Sequence, residues 1–225
     1  MVARPPDVRD FGSAAVESAA MELGLALDAE QVSTLVRFMS MLQRWNTTYN
    51  LTAVRDPAQM LTQHLFDSLA VVGPLRRRLA LQNGIAKRLL DVGSGGGLPG
   101  AVLAVVEPEL TVVCVDSVGK KAAFITQVAS ELGLANLFAI HSRVEALKVL
   151  PFDVVVCRAY ASLPDFVKSS RALLAKAGVW MAMKAKVPAD EIAALPAGVE
   201  VFHVEPLVVP GLAADRCLVW MRPLL

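Results

Sequence analysis

Five glycines lie within eight positions of the chain, from Gly93 to Gly100, in the segment best suited to holding a ligand. An apolar run precedes them and Pro99 marks a helix start, so a strand, a turn and a helix are expected in succession. Glycines permit positive φ angles and leave no Cβ in the way of a ligand, and the first turn of a helix offers unpaired amide donors. A loop that only had to be sharp would not need so many glycines, because each one costs backbone entropy. The turn therefore predicts a ligand-binding site.

Two acids near the turn indicate the chemical class of that ligand. Asp91 lies two residues before Gly93, where a carboxylate would repel a pyrophosphate and attract a sulfonium or ammonium group. Asp116 ends the next predicted strand, about 20 residues on, where a carboxylate commonly accepts hydrogen bonds from both ribose hydroxyls. This combination favours a cationic methyl donor, S-adenosylmethionine.

A nicotinamide or flavin cofactor is the alternative. Gly95, Gly97 and Gly100 satisfy the pattern G-x-G-x-x-G, although this pattern alone has low specificity. Asp116 would serve either cofactor, so Asp91 is the residue that favours the methyl donor. No Gly-Lys-Ser/Thr follows the turn, which excludes a P-loop.

Helical periodicity dominates the first 80 or so residues. From Asp28 to Trp45 apolar residues recur at steps of three and four, and Asp28 is placed to cap this helix with Gln31 three residues on. A second helix is expected to open at Asp56-Pro57, where a capping residue precedes a proline, and to run through Leu69.

After Gly84 the pattern changes to short β-rich runs separated by segments of helical length. This alternation predicts a parallel sheet of right-handed βαβ units, and a Pro- and Gly-containing loop between the last two runs predicts an antiparallel finish. Seven strands with that finish match the class I methyltransferase sheet better than a six-stranded dinucleotide fold. We expect an α/β protein with a helical N-terminal extension over residues 1–84 and a Rossmann-like methyltransferase domain over residues 85–225. The predicted strands are Arg88 to Val92, Thr111 to Val115, Leu137 to His141, Phe152 to Cys157, Val179 to Lys184, Val201 to Val204 and Arg216 to Met221.

The composition is that of a folded protein from a reducing compartment. Of 225 residues, 55% are hydrophobic and 19% charged, and the net charge of +1 requires any nucleic-acid contact to come from local patches. Cys114, Cys157 and Cys217 lie in apolar runs without C-x-x-C spacing, which is typical of buried free thiols. No apolar stretch approaches about 18 residues, and Met1 to Asp10 lacks the apolar core of a signal peptide. We expect a soluble, cytoplasmic protein that contacts no membrane.

Several segments together resemble one family. The turn, the Arg143-Val144-Glu145 segment and the six residues RAYASL from Arg158 are similar to the small-subunit ribosomal RNA guanine-N7 methyltransferases, also called glucose-inhibited division protein B. Upstream, Trp45-Asn46, the residues YNLT at 49–52 and HLFDSL at 64–69 resemble the helical N-terminal motifs of that family. The similarity covers roughly residues 30–190.

The resemblance implies methylation of N7 of a single guanine in the decoding-region loop of 16S rRNA, on naked rRNA or on the small ribosomal subunit. It implies S-adenosylmethionine as the cofactor and assigns substrate binding to Asn50 and His64. The implied cofactor contacts are Asp91, Gly93, Ser94, Gly95 and Leu98 in and before the turn, Asp116 on the ribose, Val144 and Glu145 beside the adenine, and Arg158 at the end of the fourth strand.

Guanine N7 carries an in-plane lone pair and no proton, so its attack on a sulfonium methyl needs alignment and no general base. A cationic donor could hold O6 on the Hoogsteen edge and leave N7 free. Arg158 is the first catalytic candidate, because it follows a buried strand at the edge where open α/β sheets place ligand contacts, and Lys184 is the second. A purely structural role for Arg158 would be to pair with a carboxylate such as Asp91.

Other polar residues have structural explanations as well. His64 lies one helical turn from Asp67, so a local His–Asp hydrogen bond would explain it, and Asn46 and Asn50 could shape the turn between two helices. No H-x-x-x-H pattern occurs, so we expect no metal. The basic residues considered for RNA contact are Arg37, Arg44, Arg55, Arg76 to Arg78, Lys120 and Lys121; a solvated helix end would explain the arginine triplet equally well.

Three alternative functions stay open at this point. The nearest is a class I methyltransferase that acts on a small molecule or a protein. The others are a nicotinamide oxidoreductase and a non-catalytic RNA-binding module. For the leading hypothesis we expect a monomer.

Overall fold

A seven-stranded sheet organises residues 11–80 and 87–224, which are those that this computed structural model describes. The strand order is β3-β2-β1-β4-β5-β7-β6; the pairs from β3 across to β5 are parallel, and β7 is antiparallel to both β5 and β6. The strands are β1 (Arg88–Val92), β2 (Thr111–Asp116), β3 (Leu137–His141), β4 (Phe152–Arg158), β5 (Leu174–Lys184), β6 (Val199–Pro206) and β7 (Cys217–Pro223).

All seven predicted strands and the antiparallel finish are confirmed, and the differences lie at strand ends. β5 begins at Leu174, where sequence had predicted Val179, because Leu174 pairs with Phe152 across a register irregularity. The predicted strand Val201 to Val204 is longer at both ends and runs as β6 from Val199 to Pro206. The reason is its hairpin partner β7, which continues to Pro223 and pairs with β6 over its whole length. Arg216 is not the first residue of the last strand but precedes it.

Capping residues explain where the N-terminal helices begin and end. They are α1 (Ser13–Glu22), α2 (Ala29–Tyr49), α3 (Pro57–Met60), a π-helix (Leu61–Phe66), α4 (Asp67–Leu69) and α5 (Val72–Ala80). Asp28 forms the predicted capping box with Gln31, and Asp56 caps α3 with Pro57 in the first turn. α2 runs past its predicted end at Trp45 and stops where Asn50 adopts a left-handed conformation.

The remaining helices connect the strands. They are α6 (Gly100–Val106), α7 (Gly119–Leu132), a 3₁₀ helix (Val144–Ala146), α8 (Leu163–Ser170), a second 3₁₀ helix (Arg171–Leu173) and α9 (Ala189–Ala193). Pro99 is the N-cap of α6 and lies just outside the first turn that had been predicted for it.

Alternating strand residues build two apolar layers, one on each face of the sheet. On one face Leu89 and Val112 pack beneath α6, α7 and the N-terminal helices, and on the other Leu90 and Val113 pack beneath α8. Cys114 belongs to the first layer, while Cys157 and Cys217 belong to the second, and all three are buried free thiols.

The N-terminal helices share the core of the sheet domain. The ring centroids of Phe38 in α2 and Phe124 in α7 lie 6.3 Å apart, and Gln31 Nε2 donates to the carbonyls of Val105 and Val106. The predicted boundary between residues 84 and 85 lies outside the described residues, as does the Met1 to Asp10 segment. No helix among the described residues is both long and apolar enough to cross a membrane.

The capping box predicts a measurable loss of stability. Asp28→Ala removes the carboxylate that accepts the Gln31 amide at 2.8 Å and should lower the free energy of unfolding by about 1 kcal/mol in urea titrations. Asp28→Ser keeps a capping oxygen and should retain most of that free energy. Equal losses in the two variants would contradict the capping role.

Candidate active site

Backbone amides attach the glycine-rich turn to the end of β2. Gly93 N donates to the Val115 carbonyl at 2.8 Å, and Ser94 N donates to the same carbonyl at 3.3 Å. Gly95 N donates to Asp116 Oδ2 at 3.0 Å. These bonds hold the turn at the carboxyl edge of the parallel strands, where α/β sheets bind ligands.

Two glycines of this turn are required for different reasons. Gly93 and Gly95 have φ angles of +67° and +57°. A Cβ at Gly93 would lie 2.5 Å from Cδ2 of Tyr160, which leaves no room for a side chain. A Cβ at Gly95 would find no heavy atom closer than 4.0 Å, so the turn faces open space at that point.

Two cavities meet at the turn, and Gly93 and Ala159 belong to the walls of both. The β2 cavity has a volume of about 390 Å³ and is lined by Val92, Gly93, Val115, Asp116, Ser117, Val118, Lys121, Ser142, Arg143, Val144, Glu145, Ala159 and Tyr160. The β4 cavity has a volume of about 440 Å³ and is lined by Leu42, Leu51, Thr52, Gln63, His64, Asp67, Gly93, Ser94, Gly95, Gly96, Leu98, Arg158, Ala159, Met183, Lys184, Ala185 and Arg216.

The predicted cofactor residues divide between the two cavities. Asp116, Val144 and Glu145 line the β2 cavity, whereas Ser94, Gly95 and Leu98 line the β4 cavity. Asp116 accepts the Val118 amide at 2.8 Å as well as that of Gly95, and each of its oxygens keeps a further lone pair for a ligand.

Asp91 is not where the sequence argument placed it. Its side chain is fully buried, lines neither cavity, and accepts the Gly100 amide at 2.8 Å through Oδ2. Strand alternation is the reason, because Leu90 and Val92 point to one face of the sheet and Asp91 to the other, beneath α6. Burial raises the pKa of Asp91 to about 7, against the lowering effects of the Gly100 hydrogen bond and Arg158. The expected direct contact of this carboxylate with a cofactor is therefore wrong, and Asp91 supports the turn from within.

Arg158 is the last residue of β4, which runs one residue past its predicted end at Cys157. Nη1 donates to the Gln63 carbonyl at 2.8 Å and to Asp67 Oδ2 at 3.1 Å. The carboxylate that pairs with it is thus Asp67 and not Asp91. Its Nε and Nη2 form no hydrogen bond or ion pair with the described residues, and the side chain lines the β4 cavity.

Lys184 also lines the β4 cavity, but its ammonium group is occupied. Nζ donates to Glu191 Oε2 at 2.8 Å and to the Ala161 carbonyl at 3.1 Å. Glu191 accepts the Leu163 amide at 2.6 Å as well, so this ion pair ties α9 to the segment that follows β4. The geometry is that of a residue that positions this segment.

His64 lies on the π-helix, in the wall of the β4 cavity. Its Nε2 is 2.8 Å from Thr52 Oγ1. The structural explanation offered for His64, a local hydrogen bond to Asp67, is therefore wrong. Burial, reinforced by the positive charge of Arg158, lowers the pKa of His64 to about 4. The imidazole is therefore neutral at physiological pH.

The asparagines shape the chain between α2 and α3. Asn46 is buried, accepts the Thr52 amide at 2.8 Å and donates to the Val54 carbonyl at 3.2 Å. Asn50 ends α2 in the left-handed region with φ +49°, and its Oδ1 accepts from Arg55. Asn50 is exposed and lines neither cavity, so its role as a substrate contact stays a prediction.

Sequence reasoning missed the ion-pair centre of the β4 cavity. The buried Asp67 accepts from Arg158 through Oδ2 and from Arg216 Nε through Oδ1 at 2.9 Å. No sequence spacing relates these three residues. The signal that could have found Asp67 is an acid in a predicted apolar helix, since a buried carboxylate requires cationic or amide partners.

Most basic residues considered for RNA contact make structural contacts. Arg76 and Arg77 pair with Glu107 and Glu205 at 2.6 and 2.7 Å, and Arg78 lies 5.2 Å above the ring centroid of Phe202. The triplet therefore ties α5 to neighbouring elements. Arg37 donates to the Glu131 carbonyl, Arg44 lies 3.9 Å from the Glu131 carboxylate and Lys121 lies 3.8 Å from Asp116. Across the described residues, no three His, Cys, Asp or Glu side chains are grouped as metal ligands.

Comparison with known sequences identifies relatives over most of the chain. The sequence model of the family described as rRNA small subunit methyltransferase G matches residues 31–219. The chain is 60% identical over 214 residues to a protein named Ribosomal RNA small subunit methyltransferase G from Acidovorax ebreus, a match that covers 93% of this chain and 94% of the relative. It is 57% identical over 229 residues to the protein of that name from Verminephrobacter eiseniae, with 95% of both chains covered.

Solved structures share the fold at low sequence identity. TrmN from Thermus thermophilus superposes with a TM-score of 0.55 at 20% identity and covers 73% of this chain and 53% of its own. The glycopeptide N-methyltransferase MtfA, solved with S-adenosyl-L-methionine, gives a TM-score of 0.54 at 14% identity and covers 69% of this chain and 92% of its own. The predicted class I methyltransferase fold is thereby confirmed.

Gly95→Val tests the turn as a cofactor site. The added methyl groups would enter the open space beside the turn, so the affinity for S-adenosylmethionine measured by calorimetry should fall at least about tenfold. Gly133→Val is the matched control, because Gly133 has a φ of +69° and also no atom within 4 Å of its Cβ position, but lies at the end of α7. It should lose similar stability and keep its affinity for the methyl donor. Undiminished affinity in Gly95→Val would contradict the site.

Asp91→Asn tests the buried carboxyl group. Its pKa is raised to about 7 in the folded protein from 3.8, so the native state holds a proton that the unfolded chain releases. The contribution of Asp91 to stability therefore falls as pH rises from about 4 to about 7, by up to about 1.4 kcal/mol per pH unit. The free energy of unfolding of the wild type minus that of Asp91→Asn should decrease over this range in urea titrations. Parallel pH profiles would show that Asp91 does not titrate in this way.

Proposed function

Because the chain belongs to the rRNA small subunit methyltransferase G family, we propose that it transfers a methyl group from S-adenosylmethionine to N7 of a guanine in 16S rRNA. The observation that carries this proposal is the meeting of the two cavities at Gly93 and Ala159. A methyl donor in one cavity and an acceptor base in the other would meet at that junction. The family match also favours a methyl donor over the nicotinamide cofactor that the glycine pattern had left open.

The β2 cavity suits the donor. Asp116 lies at the end of β2, where its carboxylate can accept the ribose hydroxyls, and Val144 and Glu145 supply an apolar and a polar wall for a purine. When bound, S-adenosylmethionine supplies an electrophilic methyl group on a cationic sulfur. The turn at Gly93 to Gly95 would let a bound donor extend from the β2 cavity into the β4 cavity, close to the backbone.

The β4 cavity suits the acceptor, and the helical extension forms one of its walls. Leu42, Leu51, Thr52, Gln63, His64 and Asp67 all precede the sheet in sequence and line this cavity. We infer that the helical extension predicted over residues 1–84 shapes the acceptor site, through its described residues 11–80, for a methyltransferase domain over residues 85–225. The shared core supports this arrangement, since the helices and the sheet bury one apolar layer together.

The ionisation states in the β4 cavity suit a reaction that removes no proton. Guanine N7 attacks through a lone pair, so the protein has only to hold the base in line with the methyl group. His64 is neutral and hydrogen-bonded to Thr52, and Lys184 is paired with Glu191. These contacts support positioning roles for both residues.

Arg158 is the residue best placed to hold the base. It ends β4 next to the junction, and Asp67 and the Gln63 carbonyl fix one nitrogen of its guanidinium group. The remaining N–H groups can donate to guanine O6 and leave N7 free.

We further expect the enzyme to act as a monomer in the cytoplasm on the small ribosomal subunit or its 16S rRNA. The three buried free thiols support a reducing compartment.

Methyl-transfer assays test this function directly. The protein is incubated with labelled S-adenosylmethionine and with undermethylated small subunits, naked rRNA or cell metabolites in separate reactions. Label on N7 of one guanine of 16S rRNA, read by mass spectrometry, is the expected result. Label that appears only in metabolites or protein would establish a different class I methyltransferase, and RNA binding without label would indicate a non-catalytic module.

Arg158→Gln should lower kcat about 100-fold or more, because one preorganised donor to the reacting base is lost. Its stability should change far less, since Asp67 keeps its ion pair with Arg216. The exposed Arg171 provides the control, and Arg171→Gln should leave kcat unchanged. A wild-type kcat in Arg158→Gln would show that this arginine has only a structural role.

A further inference from the structure

Arg216 immediately precedes β7 and reaches the β4 cavity from the side opposite the β2 cavity, where the donor is proposed to bind. Because β7 is antiparallel, its first residue, Cys217, pairs with Lys184 at the carboxyl end of β5. Arg216 therefore lies at the same edge of the sheet as Arg158, with β5 between their strands. Two strand spacings separate β4 from β7, which is roughly 10 Å along that edge.

The carboxylate of Asp67 orients Arg216 together with Arg158. Nε of Arg216 donates to Asp67 Oδ1 at 2.9 Å, and Nη1 donates to the Asp215 carbonyl at 2.8 Å. Its Nη2 forms no hydrogen bond or ion pair with the described residues, and the side chain is 23% exposed in the wall of the cavity. A fixed guanidinium with free donors at the mouth of a cavity is suited to binding an acceptor that arrives with the substrate.

The β4 cavity carries one positive charge more than its acids balance. Asp67 faces two arginines, His64 is neutral, and Lys184 is balanced by Glu191. A partly buried cation without its own counterion favours an anionic ligand.

A guanine base cannot supply that anion. Its Hoogsteen edge presents two acceptors, O6 and N7, and N7 must stay free for the methyl group. O6 can satisfy one arginine, and Arg158 is the nearer one to the turn. The group that every RNA nucleotide carries and that matches a second guanidinium is its phosphate, which arginine binds with two parallel hydrogen bonds.

We propose that Arg216 binds a phosphate of the target nucleotide, while Asp67 holds Arg216 and Arg158 at the spacing between that phosphate and the base. This inference rests on the proposed function. A guanine whose N7 enters the cavity must be turned out of the folded RNA, which brings its own phosphate to the mouth of the cavity. Arg216 is therefore a substrate-binding residue and Asp67 a positioning residue.

Salt dependence separates a phosphate contact from a structural role. For Arg216→Gln, KM for the RNA substrate should rise about tenfold with affinity for S-adenosylmethionine unchanged. The slope of log KM against log salt concentration should decrease in magnitude by about 0.7–0.9, the value for one lost phosphate contact. Arg216→Lys keeps the charge and should keep most of the slope.

Arg222→Gln is the matched control. It removes an arginine of β7, close in sequence to Arg216, that pairs with Glu200 and lines neither the β2 nor the β4 cavity, and it should leave the slope at its wild-type value. An equal decrease in slope in Arg222→Gln, or an unchanged slope in Arg216→Gln, would overturn the proposal.

Inhibition of the wild-type enzyme tests the proposal without any variant. Guanosine 3′- or 5′-monophosphate should inhibit at least about tenfold better than guanosine, because only the nucleotides carry the phosphate. Equal inhibition by guanosine and both nucleotides would overturn the phosphate contact even if Arg216→Gln did not fold. If the wild type did not methylate rRNA at all, the proposed function itself would fail, whereas rRNA methylation without a phosphate preference would refute only the role of Arg216.

Discussion

Hydrogen bonds from the amides of Gly93 and Gly95 to the end of β2 fix the glycine-rich turn, and both cavities are arranged around it. In a parallel sheet the carboxyl ends of neighbouring strands meet at one edge, so the turn after β1 lies between the ends of β2 and β4. The β2 cavity opens on one side of the turn and the β4 cavity on the other. The bond from Gly95 occupies one lone pair on the Asp116 carboxylate, which couples the position of the turn to that of the predicted ribose contact.

Asp67 supplies the second constraint, because it joins the helical extension to the sheet. A carboxylate this deeply buried requires compensation, and it finds two arginines at opposite ends of the β4-β5-β7 edge. The π-helix that precedes it contributes the Gln63 carbonyl to Arg158, and π-helical turns are frequent at functional sites. The β4 cavity is therefore formed where the extension and the sheet pack together.

The charged and titratable groups of the site are arranged to hold ligands and not to exchange protons with them. Burial keeps His64 neutral and raises the pKa of Asp91 to about 7, while Lys184 is held by Glu191. Among the described residues of the β4 cavity, Arg158 and Arg216 keep N–H groups that can bind a ligand. This matches a reaction in which a lone pair attacks a methyl group and the alignment of the reacting atoms lowers the activation barrier.

The sequence by itself determined the elements, the glycine-rich turn and the family, because these depend on periodicity, capping residues and short contiguous motifs. It placed Asp116 and Arg158 at the ends of their strands, where the structure has them, and parallel strands bring such ends to one edge. It misplaced Asp91, because which face a strand residue points to, and what lies beneath it, depends on how α6 packs. Only the tertiary structure decided the partners of His64 and Lys184 and the grouping of Asp67, Arg158 and Arg216. The physical reason is that ion pairs and buried hydrogen bonds join residues that are far apart in the chain. A local sequence pattern does not indicate which of these residues will come into contact.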